Sequence, residues 1–196
     1  MIVWEIVAYL ADDATRTQAF EALREQVGLS PEAILSASLD TLEGITKTGG
    51  SIAFQERARR LQETARMTME EFGGELERVL EQPPRKAKKA LMKFPMVGEP
   101  GAEKILLFCG AWPVLALDSN GLRVLLRLGY GAESSNYSAS YRSAQAAGKD
   151  ELPQDCGILT ATHHLLRRHG LEICKRNVPL CEACPISSLC NYYRDR

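Results

Sequence analysis

Apolar residues recur along this chain at intervals of three and four, and no stretch alternates apolar with polar positions long enough to predict a strand. Residues 2–11 read as a buried helix. Residues 15–27 read as an amphipathic one, with Phe20, Leu23 and Val27 on one face and Gly28 ending it. Ser30-Pro31-Glu32 marks a helix start, a serine cap followed by proline in the first turn. After a loop at Thr48-Gly49-Gly50-Ser51, a long helix is predicted over 52–72, with Ala58, Leu61, Ala65 and Met69 inward. Gln82-Pro83-Pro84 breaks the chain before a helix at 85–93, and further helices are predicted at 101–109, 119–128, 134–147 and 154–169. The expected fold class is all-α.

At 196 residues, 45% hydrophobic and 25% charged, the chain has the composition of a globular protein, with length for one large domain or two small ones. No window approaches the ~18 apolar residues of a membrane span. The apolar start, Ile2 to Leu10, contains Glu5 and has no basic flank, so it does not read as a signal peptide. Six cysteines in such a chain point to a reducing, cytoplasmic compartment, nucleoid-associated in a bacterium or archaeon. A net charge of −1 says nothing of a polyanionic partner. Its distribution says more: Arg85, Lys86, Lys88, Lys89 and Lys93 crowd together, and Arg57, Arg59 and Arg60 form a second group. Such runs read as solvated helix faces unless a binding motif adjoins them.

Cys174, Cys181, Cys184 and Cys190 are spaced C-x6-C-x2-C-x5-C. Four thiolates so close in sequence can enclose one metal centre, and thiolates select zinc or iron–sulfur clusters. A zinc ribbon pairs two C-x2-C units across a longer loop. Only one such unit is present, Cys181-Glu182-Ala183-Cys184, and single cysteines flank it, which suits a [4Fe–4S] cluster on four Cys ligands. Buried or disulfide-bonded cysteines are the plainer alternative. Cys109 and Cys156 lie outside the motif and are expected to be small buried residues. His163, His164 and His169 are expected in the core or on a helix surface rather than on a metal.

Residues 91–107 predict a helix, a tight turn holding Pro95, Gly98 and Gly101, and a second apolar helix. A glycine-bearing turn at a helix N-terminus exposes N–H groups beside a partial positive charge, which binds phosphate without reading any base. Lys93 and Lys104 add charge there. Asp118-Ser119-Asn120-Gly121 before an apolar run reads as an ordinary helix N-cap.

These segments together resemble the endonuclease III branch of the helix-hairpin-helix (HhH-GPD) DNA glycosylases over nearly the whole chain. The cysteine spacing is the family's. The family's H-H-x-L-x-x-H-G-x-x-x-C matches His163 to Cys174, its hairpin L-P-G-V-G-x-K-T-A matches Phe94 to Ala102, and its W-P-x-x-A-V-D-T matches Trp112 to Ser119. The resemblance implies a two-lobed helical fold: a helical barrel domain at 1–112 with the hairpin motif at about 86–109, and an iron–sulfur cluster domain at 113–196 with its cluster loop at 174–190. It implies a monomer that binds double-stranded DNA, through Lys93, Met96, Val97, Gly98, Gly101 and Lys104 of the hairpin and Lys175 and Arg176 of the cluster loop, with no membrane role. It implies a [4Fe–4S] cluster on Cys174, Cys181, Cys184 and Cys190, and it gives Asp118 the place of the family's catalytic aspartate.

Several positions depart from the family. The lysine that makes bifunctional members attack the sugar is Pro100, which has no nucleophile; Lys104, one turn on, is a remote substitute. Met96 replaces the hairpin's first glycine. Asn120 makes the Asp-x-Asn version seen in the adenine glycosylase branch, but that branch's glutamate acid falls at Ala8 and its second domain is not matched, so adenine excision opposite 8-oxoguanine is not expected. Asp13 occupies the place of the glutamine that fills the gap left by a flipped base. Ile52 and Phe54 are candidate wedges, with core packing as the alternative. The family's additional first helix is not matched either, which leaves Tyr192 and Tyr193 to cover the cluster. The expected function is a monofunctional base-excision glycosylase. The rivals are a DNA-binding protein that keeps the scaffold without the chemistry, and an iron–sulfur protein for electron transfer or redox sensing.

Overall fold

Six helices begin at a side chain that accepts a hydrogen bond from a backbone N–H three residues on: Asp12, Ser30, Ser38, Asp118, Asn136 and Asp155. These caps punctuate the chain. The structure, a computed structural model, describes residues 1–195. In order the helices are α1 (Ile2–Val7), α2 (Asp13–Gln26), α3 (Pro31–Ser36), α4 (Leu39–Thr48), α5 (Phe54–Phe72), α6 (Pro84–Leu91), α7 (Glu99–Phe108), α8 (Ser119–Leu128), α9 (Tyr137–Lys149), α10 (Cys156–Glu172) and α11 (Asn191–Arg194). Short 3₁₀ turns lie at Leu76–Glu81, Cys181–Ala183 and Ser187–Leu189. Among the described residues there is no strand, and the fold is all-α. No helix among them is long and apolar enough to cross a membrane.

The chain divides into two compact units, Met1–Glu99 and Pro100–Arg196; the expected boundary at 112–113 lies inside the second. In the first unit Ile6, Leu23, Ile34, Leu42, Leu61 and Leu91 are fully buried. α5 packs against α1, α3 and α4. In the second, Leu107, Leu115, Leu117, Leu122, Leu125, Tyr141 and Leu159 form the core, and α8 lies along α10.

Three expectations are corrected. The first helix stops at Val7 rather than at residue 11, with Ala8 extended and Leu10 left-handed. Its end is satisfied from outside: Arg16 Nη1 donates to Trp4 O at 2.9 Å and to Ala8 O at 3.0 Å, and Arg57 Nη1 to Val7 O at 2.7 Å. Helix continuation is therefore replaced by guanidinium bonds, which a helix C-terminus favours. Second, Arg57 does not belong to a solvated basic face. It is 1% exposed and donates to the carbonyls of Ile52, Val7, Gly49, Thr46 and Gly50, tying the loop before α5 to the end of α1. Third, Cys109 is exposed, because α7 ends at Phe108 and the chain turns outward at Gly110 with φ +71°. Cys156 is half-buried against the second core. Ile52 stands 52% exposed, while Phe54 is half-buried under Lys47 Nζ at 5.6 Å.

Candidate functional site

Asp118 caps α8. Its Oδ1 accepts from Gly121 N–H at 2.7 Å, and its Oδ2 accepts from Asn120 Nδ2 at 3.1 Å and faces Arg167 Nε at 3.5 Å. The side chain is 24% exposed. The carboxyl group is thus not bound to its own backbone alone, and cap and cluster of donors coexist. Arg167 was not singled out from the sequence, since it occupies an unspecified position of the histidine motif. Tyr137, at the start of α9, is held above its ordinary pKa by burial and by the charge of Asp118. It lines an open groove of about 990 Å³, solvent included, together with Ser119, Ser134, Ser135, Arg123 and Arg176; Asp118 does not line it.

The backbone leading to Asp118 is fastened from two helices of the second unit, α9 and α10. His163 Nδ1 lies 2.8 Å from Ala116 O, which makes Nδ1 the protonated nitrogen, and Gln145 Nε2 donates to Leu115 O at 3.0 Å. Gln145 also donates to Glu103 Oε2 at 2.7 Å, and so does Tyr141 Oη at 2.6 Å. Burial and the Glu103 charge drive the Tyr141 phenol far upward, so it stays a donor. His163 is 4% exposed and in the core, as expected, and burial holds it below its ordinary pKa. Gly170 completes the arrangement. A Cβ there would lie 2.8 Å from Asn120 Cβ and Asn120 O, so only glycine lets α10 approach the first turn of α8. Arg123 seals that contact, donating to Asn120 Oδ1, Gly170 O and Cys174 O.

The hairpin turn between α6 and α7 keeps a left-handed residue although glycine is replaced. Met96 has φ 63°, at a cost of about 1–2 kcal/mol for a residue with a Cβ. Val97 is buried and its N–H donates to Phe94 O at 3.1 Å, so that amide serves the turn rather than a phosphate. Gly98 is exposed, and Pro100 and Gly101 lie in the first turn of α7. Lys93 Nζ is 2.8 Å from Glu71 Oε2, and Lys88 Nζ is 3.0 Å from Glu99 Oε1. Lys104 is half-buried, close enough to His163 to oppose its protonation.

Cys174, Cys181, Cys184 and Cys190 all line one cavity of about 370 Å³, mouth included, whose wall is completed by apolar residues such as Val124, Ile173 and Ile186. Tyr192 and Tyr193 line it too, Tyr192 with its ring 4.5 Å from the Arg127 guanidinium carbon. Arg127 Nη1 donates to Cys174 Sγ at 3.3 Å and to Lys175 O at 2.8 Å, and its Nη2 to Arg176 O at 2.9 Å. Lys175 and Arg176 therefore have clamped backbones and exposed side chains. Four thiols lining one shared space, with a guanidinium donating to one sulfur, have the donor chemistry of a four-thiolate cluster.

No protein-family model matches the chain. It is 27% identical to the endonuclease III of Sulfolobus acidocaldarius over 99% of this chain and 82% of that relative. It is 26% identical to the endonuclease III of Thermotoga maritima over 100% of this chain and 84% of the relative. Among solved structures, a trapped covalent intermediate of endonuclease III with DNA matches with a TM-score of 0.79 at 22% identity, over 100% of this chain and 84% of that one.

Proposed function

Taking the chain as an endonuclease III-like helix-hairpin-helix protein, we propose that it is a DNA base-excision glycosylase. It hydrolyses the N-glycosidic bond of a damaged or mismatched base and leaves the strand intact. The observation that carries this reading is Asp118: a carboxylate held by two hydrogen bonds and an ion pair with Arg167, on a group that accepts about four bonds, with its side chain still partly exposed. As the base departs with the bonding electrons, the deoxyribose gains positive charge, much as in glycoside hydrolysis. A fixed carboxylate stabilises that charge and orients the water whose oxygen bonds to C1′. Pro100 offers no amine, so no Schiff base forms there and no strand cleavage follows.

Double-stranded DNA is the partner, bound by a monomer through the exposed hairpin around Gly98 and through Lys175 and Arg176. When bound at Cys174, Cys181, Cys184 and Cys190, a [4Fe–4S] cluster supplies a cross-link of the loop rather than a redox step. Incubation with duplexes carrying U, T or hypoxanthine opposite G, followed by hot alkali, tests the reading. Breaks seen only after alkali are expected. Breaks before alkali overturn the monofunctional assignment. The Arg167 guanidinium beside Asp118 favours a second reading, a DNA-binding protein without catalysis, because it offsets the negative charge a cationic sugar needs. Tight duplex binding with no excision on any lesion selects that reading.

A further inference from the structure

Helix α6 carries cations where helix physics disfavours them. Arg85 and Lys86 sit in its first turn, which holds no acidic residue, and Pro83 before it provides no side-chain cap. The positive end of the macrodipole repels both. Arg85 and Lys89 stand one turn apart, as do Lys86 and Lys89, and like charges at that spacing oppose the helix. All three side chains are exposed, and among the described residues none has a carboxylate partner. The contrast within the same unit is clear: Arg24, Arg59, Arg60 and Arg78 each pair with a glutamate one turn away. Even within the basic run, Lys88 and Lys93 are engaged by Glu99 and Glu71. Ala87 and Leu91 are buried and anchor the opposite face of α6. The exposed face then continues through Met92 and Lys93 to Met96 and Gly98 in the hairpin turn.

A chain of net charge −1 that holds three unpaired cations on one short helix keeps a local conflict with no gain for the folded state. We infer that Arg85, Lys86 and Lys89 form a second phosphate-contact strip, which lies along the backbone of the same DNA duplex that the hairpin holds. The inference rests on the DNA-binding reading and extends the footprint beyond the hairpin. The strip reads no base; it adds affinity that falls with salt, because each neutralised phosphate releases a counterion.

The test is the triple variant Arg85→Gln, Lys86→Gln and Lys89→Gln, since glutamine preserves helix propensity. Affinity for an undamaged duplex is measured by fluorescence anisotropy from about 50 to about 200 mM salt. Three lost contacts lower the salt slope by about 2.7, so over that range the native protein loses roughly 40-fold more affinity than the variant. The melting temperature of the variant stays level or rises, because repulsion is removed. An unchanged slope overturns the strip while leaving the DNA-binding reading intact. A native protein that fails to bind duplex at the lowest salt overturns both. A loss seen only on single-stranded RNA assigns the face to another polyanion and overturns the strip as well. A lowered melting temperature with an unchanged slope makes the three cations structural and overturns it too.

Discussion

Gly170→Ala tests the close approach that places Asp118, and its sign is diagnostic. Position 170 lies inside α10, where alanine is favoured over glycine by about 1 kcal/mol of helix propensity. Propensity alone therefore predicts a more stable protein. The structure predicts the reverse. The added methyl would stand 2.8 Å from Asn120 Cβ and Asn120 O and 3.0 Å from Asn120 C, against 3.4–4 Å for ordinary contact. Two of those three atoms are backbone, so no side-chain rotation relieves the clash and α10 must move off α8. Overpacking of this kind costs about 1–3 kcal/mol. After the propensity gain, the net loss reaches up to about 2 kcal/mol, or roughly 4–8 °C in a chain of this size. The displacement also shifts Arg167 and Asn120, which share Asp118 Oδ2, and a misplacement approaching 1 Å slows a positioned reaction by about 100-fold. Calorimetry gives the first quantity and single-turnover excision the second. A melting temperature that rises refutes the packing argument, whatever the excision rate does.

Asp118→Asn separates cap from catalyst: asparagine caps as well as aspartate, so stability should hold within about 0.5 kcal/mol, while excision should fall by at least about 100-fold in a single-turnover assay. Met96→Gly relieves the left-handed strain but frees the unfolded chain, a net gain of up to about 1 kcal/mol in urea unfolding. Burial holds His163 below its ordinary 6.5, despite Asp118, while Lys104 and His164 oppose its protonation further. The unfolded chain thus binds a proton that the folded chain refuses, and stability falls as pH drops below 6.5. His163→Gln should flatten the melting-temperature profile between pH 7 and pH 5 (about 1 unit either side of 6); a profile as steep as the native one assigns the loss elsewhere.

Much was legible in the sequence because it depends on local chemistry. Helix period, capping residues and proline breaks are properties of neighbouring positions, so the limits of α8 were read without error and those of α5, α6 and α7 within two residues. The cysteine spacing brought its four side chains to one cavity because the loop is too short to scatter them. The end of α1, the burial of Arg57 and the exposure of Cys109 were not legible. The first two are decided by partners elsewhere in the chain, since nothing local to Arg57 says that the carbonyls of Val7 and Thr46 await it, and the third by where α7 stops.

The candidate site divides in the same way. Sequence by itself determined the helical class, the capping role of Asp118, the lack of an amine at Pro100 and the four clustered thiols, since these follow from residue type and spacing. Only the tertiary structure decided that Arg167 faces the carboxylate, that Gly170 admits it, and that Lys88 and Lys93 are paired while Arg85, Lys86 and Lys89 are not. The reason is range. A hydrogen bond, an ion pair or a van der Waals contact acts over a few ångströms of space, and folding, not sequence distance, sets which groups come that close.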